Sequence, residues 1–485
     1  MSFYKISEQI LNNAFTENGD RAYNSTGSAC LDFFSLVGAM RYNLKDAMNL
    51  FMRSYYEDPI MTIKILFYVR DVRDGLGERN LFRCMFNALA NMYPDVAKQL
   101  IEYVPEYGRY DDLLVCLDSV IKRDVVLFID NQLRDDILNK KNNKPISLLS
   151  KWLPSINTSS YETRFLANIL AKNLGLTHEE YRKMLTFLRK DTIVENNLRE
   201  NDYTFAYEKL PSGALFKYRA AFHRNDFERY NQYLEDVSNG KVQMNTSTLY
   251  PYEIIRRLEN GANSEELKAL DLMWKNLDRS SITSNTIIVR DGSGSMMDFE
   301  SVSANSVATS LAILFAERLT GEFKDTFITF SSKPQIVKIK GETIYEKYQY
   351  LSRYHDYTNT DIEKVYNLIL NVYKHENFKK EDAIERIVII SDMEFDAGVD
   401  METTTFEHFK EEFESLGYKL PEVVFWNVRA RSIHYPIVNT YGVKLVSGST
   451  PKIIDMVTSG EYTDSYSFMI QCLEKYSCFN EIIIK

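Results

Sequence analysis

Apolar residues recur at three- and four-residue spacing through most of the first 280 positions, the period of helices with one buried face. The spacing predicts helices over residues 31–37, 44–56, 59–72, 78–91 and 94–104, with short breaks at Asp74-Gly75, Tyr93-Pro94, Pro105 and Gly108. Helices of this length joined by tight turns imply antiparallel pairs stacked as an α-solenoid of degenerate, HEAT-like repeats, with an irregular bundle as the alternative. From about residue 281 the pattern changes to short apolar runs alternating with helical ones. Strands are expected at 286–289 (TIIV), 326–331, 336–340, 386–392, 423–428 (VVFWNV) and 442–446, and helices at 303–320, 362–373, 406–415, 452–457 and 465–476. That alternation predicts a doubly wound, Rossmann-like α/β sheet covered on both faces. The expected division is a helical module over 1–280 and an α/β domain over 281–485.

Composition narrows the functional classes. At 485 residues, 45% hydrophobic and 26% charged, the chain is long enough for two or three domains and has ordinary globular balance. The net charge of −10 argues against a uniformly basic nucleic-acid coat, but leaves room for a local basic patch. Thirty-two tyrosines and 28 phenylalanines suit both protein recognition and base stacking. Five scattered cysteines without a C-x-x-C pair fit a reduced, cytoplasmic protein. The first residues, MSFYKISEQILNNAF, do not read as a secretory signal, and no run is long and apolar enough for a membrane span.

The candidate chemistry centres on Asp291-Gly292-Ser293-Gly294-Ser295, where the strand at 286–289 breaks into a Gly-rich turn. The carboxyl end of a parallel α/β sheet is where such folds bind ligands. One carboxylate and two hydroxyls on alternate positions are hard oxygen donors, suited to Mg²⁺. Asp392, at the end of a second apolar strand, shares that edge if the two strands are parallel, and Thr358 lies in a loop before the helix at 362–373. Ordinary turn chemistry would also explain D-G-S-G taken alone. Other chemistry is missing from the sequence: no G-x-x-x-x-G-K-[ST] loop, no G-x-S-x-G elbow, and no histidine marked by a motif as a base. His355, near the expected site, reads as a solvated loop residue. The expectation is a binding protein rather than an enzyme.

Two resemblances sharpen this reading. The D-x-S-x-S motif, Thr358 and Asp392 together resemble the metal-ion-dependent adhesion site of von Willebrand factor A domains. That resemblance implies Asp291, Ser293, Ser295, Thr358 and Asp392 as the ligands of Mg²⁺, or of another divalent ion such as Mn²⁺. Arg290 departs from the apolar residue usual before the first aspartate, and is expected to pair with a neighbouring carboxylate. In the helical half, RDVRDGLGER (70–79) and VPEYGRYDDLL (104–114) are similar to motifs of the TROVE module of the Ro autoantigen family, and closer still to Ro-like proteins of undefined function. Lys151-Trp152-Leu153-Pro154-Ser155, Tyr181-Arg182-Lys183 with Leu188-Arg189, and Leu210-Pro211-Ser212 continue the likeness, in the family's order of helical module first.

The resemblance implies a ring of helical repeats closed by the von Willebrand A-like domain, in a ribonucleoprotein binding small structured or misfolded RNA. Arg70, Arg73, Arg79, Arg109, Lys183 and Arg189 are the candidate RNA contacts. A plainer reading stands beside it: Gly75 and Gly108 as left-handed helix C-caps, and Arg70, Arg73 and Arg79 paired with Asp71, Asp74 and Glu78. The alternative function is a protein-interaction scaffold whose metal grips an acidic residue of a partner. A metal-dependent phosphohydrolase would need a base and a second metal site that the sequence does not offer. The chain is expected to be monomeric and without a membrane partner.

Overall fold

The computed structural model describes residues 11–190, 194–298, 300–354, 360–376, 378–395, 405–459 and 463–484, excluding the side chains of 405–408. His355 and Thr358 lie outside the described residues. Two compact units share the chain: residues 1–61 with 231–475, and residues 62–230 with 476–485. The 280/281 division marks where helices give way to alternating strands and helices; by packing, the sheet also gathers in the first 61 residues.

In the first unit the sheet has six strands in the order β5-β4-β3-β6-β7-β8. They are β3 (Thr286–Asp291), β4 (Thr326–Phe330), β5 (Ile336–Lys338), β6 (Arg386–Ser391), β7 (Glu422–Asn427) and β8 (Val443–Ser447). All neighbours are parallel except β5, which returns antiparallel on β4. Every residue of β3, β6, β7 and β8 is buried, as expected for central parallel strands covered on both faces. On one face Val365, Tyr366, Ile369 and Tyr373 of the helix Ile362–Tyr373 join Phe409 and Phe413 in a core with Ile287, Val289, Ile387 and Ile389. On the other, the helix Ala304–Arg318 packs on β3 and is itself covered by the helix Pro251–Glu259, so nearly all its residues are buried.

The first 279 residues are not helical throughout. β1 (Asn13–Phe15) and β2 (Arg21–Tyr23) form an antiparallel pair. A tight E-N-G-D turn joins them, with Gly19 at φ +91° and the Thr16 hydroxyl accepting from the Asp20 amide at 2.9 Å. The pair is too short for periodicity to reveal. The helix Ala29–Leu36 then lies against β8, where the Gly38 amide donates to the Ser447 hydroxyl at 3.0 Å. A Cβ on Gly38 would stand 2.4 Å from the Ser447 carbonyl oxygen, so close backbone approach requires glycine here.

In the second unit, the helix Arg79–Met92 packs on the helix Pro94–Leu100 and carries an aromatic core in which Phe82 and Phe86 stack 5.3 Å apart, while the helix Lys122–Lys141 packs on the segment Tyr110–Asp118. The closing residues return to this unit: Phe479 lies 4.4 Å from the Phe67 ring, and the Tyr476 hydroxyl donates to Asp71 at 3.0 Å. Gly75 and Gly108 have a different reason from the one their turns suggested, since neither has positive φ. A Cβ on Gly75 would meet the Tyr68 carbonyl oxygen at 2.1 Å, and one on Gly108 would meet Asp112 Oδ2 at 2.7 Å and Arg70 Nε at 2.8 Å. Their role is to let chain segments close on each other; Gly108 also ends the helix Val104–Tyr107, but without the left-handed conformation of a glycine cap.

Candidate functional sites

The carboxyl edge of the sheet is built by β3 and β6. Their parallel register sets Arg290 opposite Ile390, which brings Asp291 beside Ser391 and Asp392 just past it. Asp291 Oδ2 accepts from the Ser391 hydroxyl at 2.6 Å, and Oδ1 accepts from the Ser293 amide at 2.8 Å. The Ser293 and Ser295 hydroxyls are 2.9 Å apart on one short turn. The structure thus brings together Asp291, Ser293, Ser295 and Asp392. Burial first, and then the charge of Asp392, pushes the Asp291 carboxyl up to about 6. Two buried carboxylates with hydroxyls alongside are a donor set that a hard divalent cation fits. Among the described residues no group of three or more His, Cys, Asp or Glu side chains is placed to hold a metal, so the hydroxyls are essential to that fit.

The edge also carries cations of its own, which sequence reasoning missed. Arg431 donates to Asp392 Oδ2 at 2.8 Å and, through its other amino group, to Glu17 at 2.8 Å. Glu17 in turn is tied by its amide to Glu394 Oε2 at 2.8 Å, while Thr16 and Asn18 bond the Phe395 and Glu394 carbonyls. The turn between β1 and β2 is thereby strapped to the loop that follows β6. These partners lie 39 and 414 residues from Arg431, and no sequence pattern announces either bond. Arg290 points to the opposite side of the edge. It donates to Asn305 Oδ1 at 2.7 Å and to the Thr309 hydroxyl at 2.9 Å. Its burial holds the guanidinium down at about 10. The carboxylates whose charges act on it are Asp291 and then Glu259, the latter bonded by Ser306 and Asn305.

The basic candidates of the second unit separate into two groups. Arg70 is buried and donates from Nε to Asp112 Oδ2 at 2.6 Å; its partner is 42 residues away instead of the adjacent Asp71. Arg189 donates to the carbonyls of Ser150 and Leu153 and to the Ser155 hydroxyl, which explains the K-W-L-P-S motif as an arginine socket. These two hold the fold. Arg73 is exposed and donates to the Glu106 carbonyl at 2.9 Å; Lys183 is exposed and pairs along its helix with Glu179 at 2.7 Å. Arg109 grips Asp111 through Nε and Nη2 and lies 3.7 Å over the Trp152 ring. Arg83, which the sequence reading did not single out, bonds Asp112 at 2.7 Å and Asp111 at 2.8 Å. Arg79 is exposed and has no hydrogen-bond or ion-pair partner among the described residues. Crowding by the surrounding protein, then the charges of Arg109 and Arg83, holds its guanidinium below the usual arginine value. Three arginines therefore bond two aspartates in this cluster, with Arg79 a fourth cation beside them.

Comparison with known proteins places the chain in a wider group. Residues 16–114 and 120–284 match the family model described as domain of unknown function DUF2828, and residues 285–474 match domain of unknown function DUF7788. A relative in Acanthamoeba polyphaga mimivirus, described as uncharacterized protein L728, is 30% identical over 513 positions, spanning 96% of this chain and 88% of the relative. Among solved structures, the crystal structure of the Deinococcus radiodurans RO (RSR) protein superposes with a TM-score of 0.52 at 13% identity, covering 90% of this chain and all of that one. At that identity the likeness is one of fold.

Proposed function

Since the chain belongs to the DUF2828 family and shares its fold with the Deinococcus RO protein, we propose that it is an RNA-binding, Ro-like ribonucleoprotein component. In this reading the helices of residues 62–230 are degenerate HEAT-like repeats that take small structured or misfolded RNA, and the sheet is a von Willebrand A-like domain. The observation that carries it is the excess of arginine over carboxylate around Asp111 and Asp112, in a chain whose total charge is −10. Local positive potential, not net charge, governs contact with phosphate. Arg70 and Arg189 face inward, which leaves Arg73, Arg79, Arg109 and Lys183 as candidates. If all four meet phosphates, a structured RNA with a single-stranded tail binds with a log–log salt slope of about −3 to −4. Absence of binding at low salt overturns the proposal.

The sheet edge would hold Mg²⁺ or Mn²⁺ through Asp291, Ser293, Ser295 and Asp392, with Thr358 as the further ligand that the von Willebrand A resemblance assigns. Neutral hydroxyl donors leave such an ion able to accept a carboxylate or phosphate oxygen from a partner. Arg431 competes for Asp392, so Arg431→Gln is expected to tighten Mn²⁺ binding several-fold in a calorimetric titration. An unchanged affinity would show that Arg431 and the ion do not share that carboxylate. The same carboxylates favour a second reading, a scaffold that grips an acidic partner through the metal without RNA; a chain that binds Mn²⁺ but no RNA would establish it.

A further inference from the structure

Arg79 opens the helix Arg79–Met92, whose N-cap residue Glu78 makes no side-chain cap, so the helix start adds partial positive charge beside the guanidinium. One turn later on the same face is Arg83, and Arg83 shares the Asp111 carboxylate with Arg109. Asp112 closes the cluster from below, bonding buried Arg70, Arg83 and the Arg109 amide. Both aspartates are bonded by other arginines, and at Arg79 their charges are outweighed by those of Arg109 and Arg83. Arg109 is fixed at both ends: its guanidinium is clamped by Asp111, and its face rests 3.7 Å over the half-buried Trp152 ring, with Lys151 Nζ 5.2 Å from the same ring. A clamped guanidinium on an indole is a flat cationic surface, and such surfaces receive unpaired bases in single-stranded recognition.

We propose that Arg79, Arg83, Arg109, Lys151 and Trp152 form a subsite for one unpaired nucleotide. Arg79 takes the phosphate and the Arg109–Trp152 stack takes the base. The subsite rests on the RNA-binding reading and specifies where, and by what chemistry, a single-stranded segment is held. A duplex is not its ligand, because paired bases have no free face to stack. Arg83 is a positioning residue that holds Arg109 through Asp111, and Gly108 serves the site indirectly by letting Arg70 reach Asp112.

The test uses the full chain and a short single-stranded oligoadenylate. Of the three tryptophans, Trp274 and Trp426 are 1% and 0% exposed, so quenching by a stacked base reports on Trp152. Quenching on titration is expected in the parent and lost in Trp152→Phe. Arg79→Gln is expected to weaken binding on the order of tenfold and to reduce the salt slope by about 1. Both variants should unfold at the parent's temperature, since Arg79 has no internal partner and phenylalanine keeps a ring beneath Arg109. Arg134→Gln, on an exposed arginine of the helix Lys122–Lys141, should bind as the parent does. If Arg79→Gln and Trp152→Phe bind and quench like the parent, or if Arg134→Gln weakens binding equally, the subsite is overturned while RNA binding stands. If the parent binds neither this oligonucleotide nor a tailed structured RNA, both proposals fall.

Discussion

Asp112→Asn is expected to destabilise the unit of residues 62–230 by about 3–5 kcal/mol, the effect of leaving a buried charge without its partner. Asp112 is fully buried and accepts from Arg70 Nε at 2.6 Å, from Arg83 Nε at 2.7 Å and from the Arg109 amide at 3.0 Å. An asparagine of the same shape removes the negative charge and turns an amide N–H₂ toward guanidinium donors. Arg70, 2% exposed, then has no route to water. Urea unfolding followed by far-UV circular dichroism measures the loss, and a change below about 1 kcal/mol would mean the pair is dispensable. The double variant with Arg70→Met should recover part of it, because a neutral side chain no longer needs the carboxylate. The motif R-D-V-R-D-G-L-G-E-R is therefore chiefly a structural device at its first arginine and a candidate binding device at its last.

Asp291→Ala is the second large effect: it should reduce Mn²⁺ affinity by more than about 100-fold, because even loss of a group supporting a ligand costs about 10–100-fold. The fold should survive. Asp291 contributes one of two adjacent buried carboxylates, and their mutual repulsion offsets the hydrogen bonds from Ser391 and the Ser293 amide. The apo variant is accordingly expected to unfold near the parent's midpoint while giving no saturable signal in Mn²⁺ electron paramagnetic resonance. Parental Mn²⁺ binding by both Asp291→Ala and Asp392→Ala would remove the metal from the sheet edge altogether. A parallel loss of fold and binding would instead mark Asp291 as structural.

Much of this architecture is carried by local patterns. The strand ending in Asp291, the strand ending at Ser391 and the helix Ile362–Tyr373 follow from uninterrupted apolar runs and from 3.6-residue periodicity, because burial on one or both faces writes itself directly into the chain. The D-G-S-G-S turn and the pairing of Asp291 with the Asp392 edge were legible for the same reason: parallel strands fix which ends meet. The arginines were not. Arg70, Arg79 and Arg189 look alike in sequence, yet one is sealed on Asp112, one faces solvent and one is seated among the Ser150 and Leu153 carbonyls. Partner choice among like charges depends on which segments the fold brings together, at separations of 42 and 39 residues for Arg70 and for Arg189 with Ser150. The inclusion of residues 1–61 in the sheet unit, and the Glu17–Arg431–Asp392 chain at its edge, were likewise decided by tertiary packing. The sequence by itself determined the elements, their order and the chemistry at the strand ends, since these depend on neighbouring residues. Only the tertiary structure decided which charges are consumed internally and which remain for a ligand, since a buried charge takes its partner from whatever segment lies within about 3 Å.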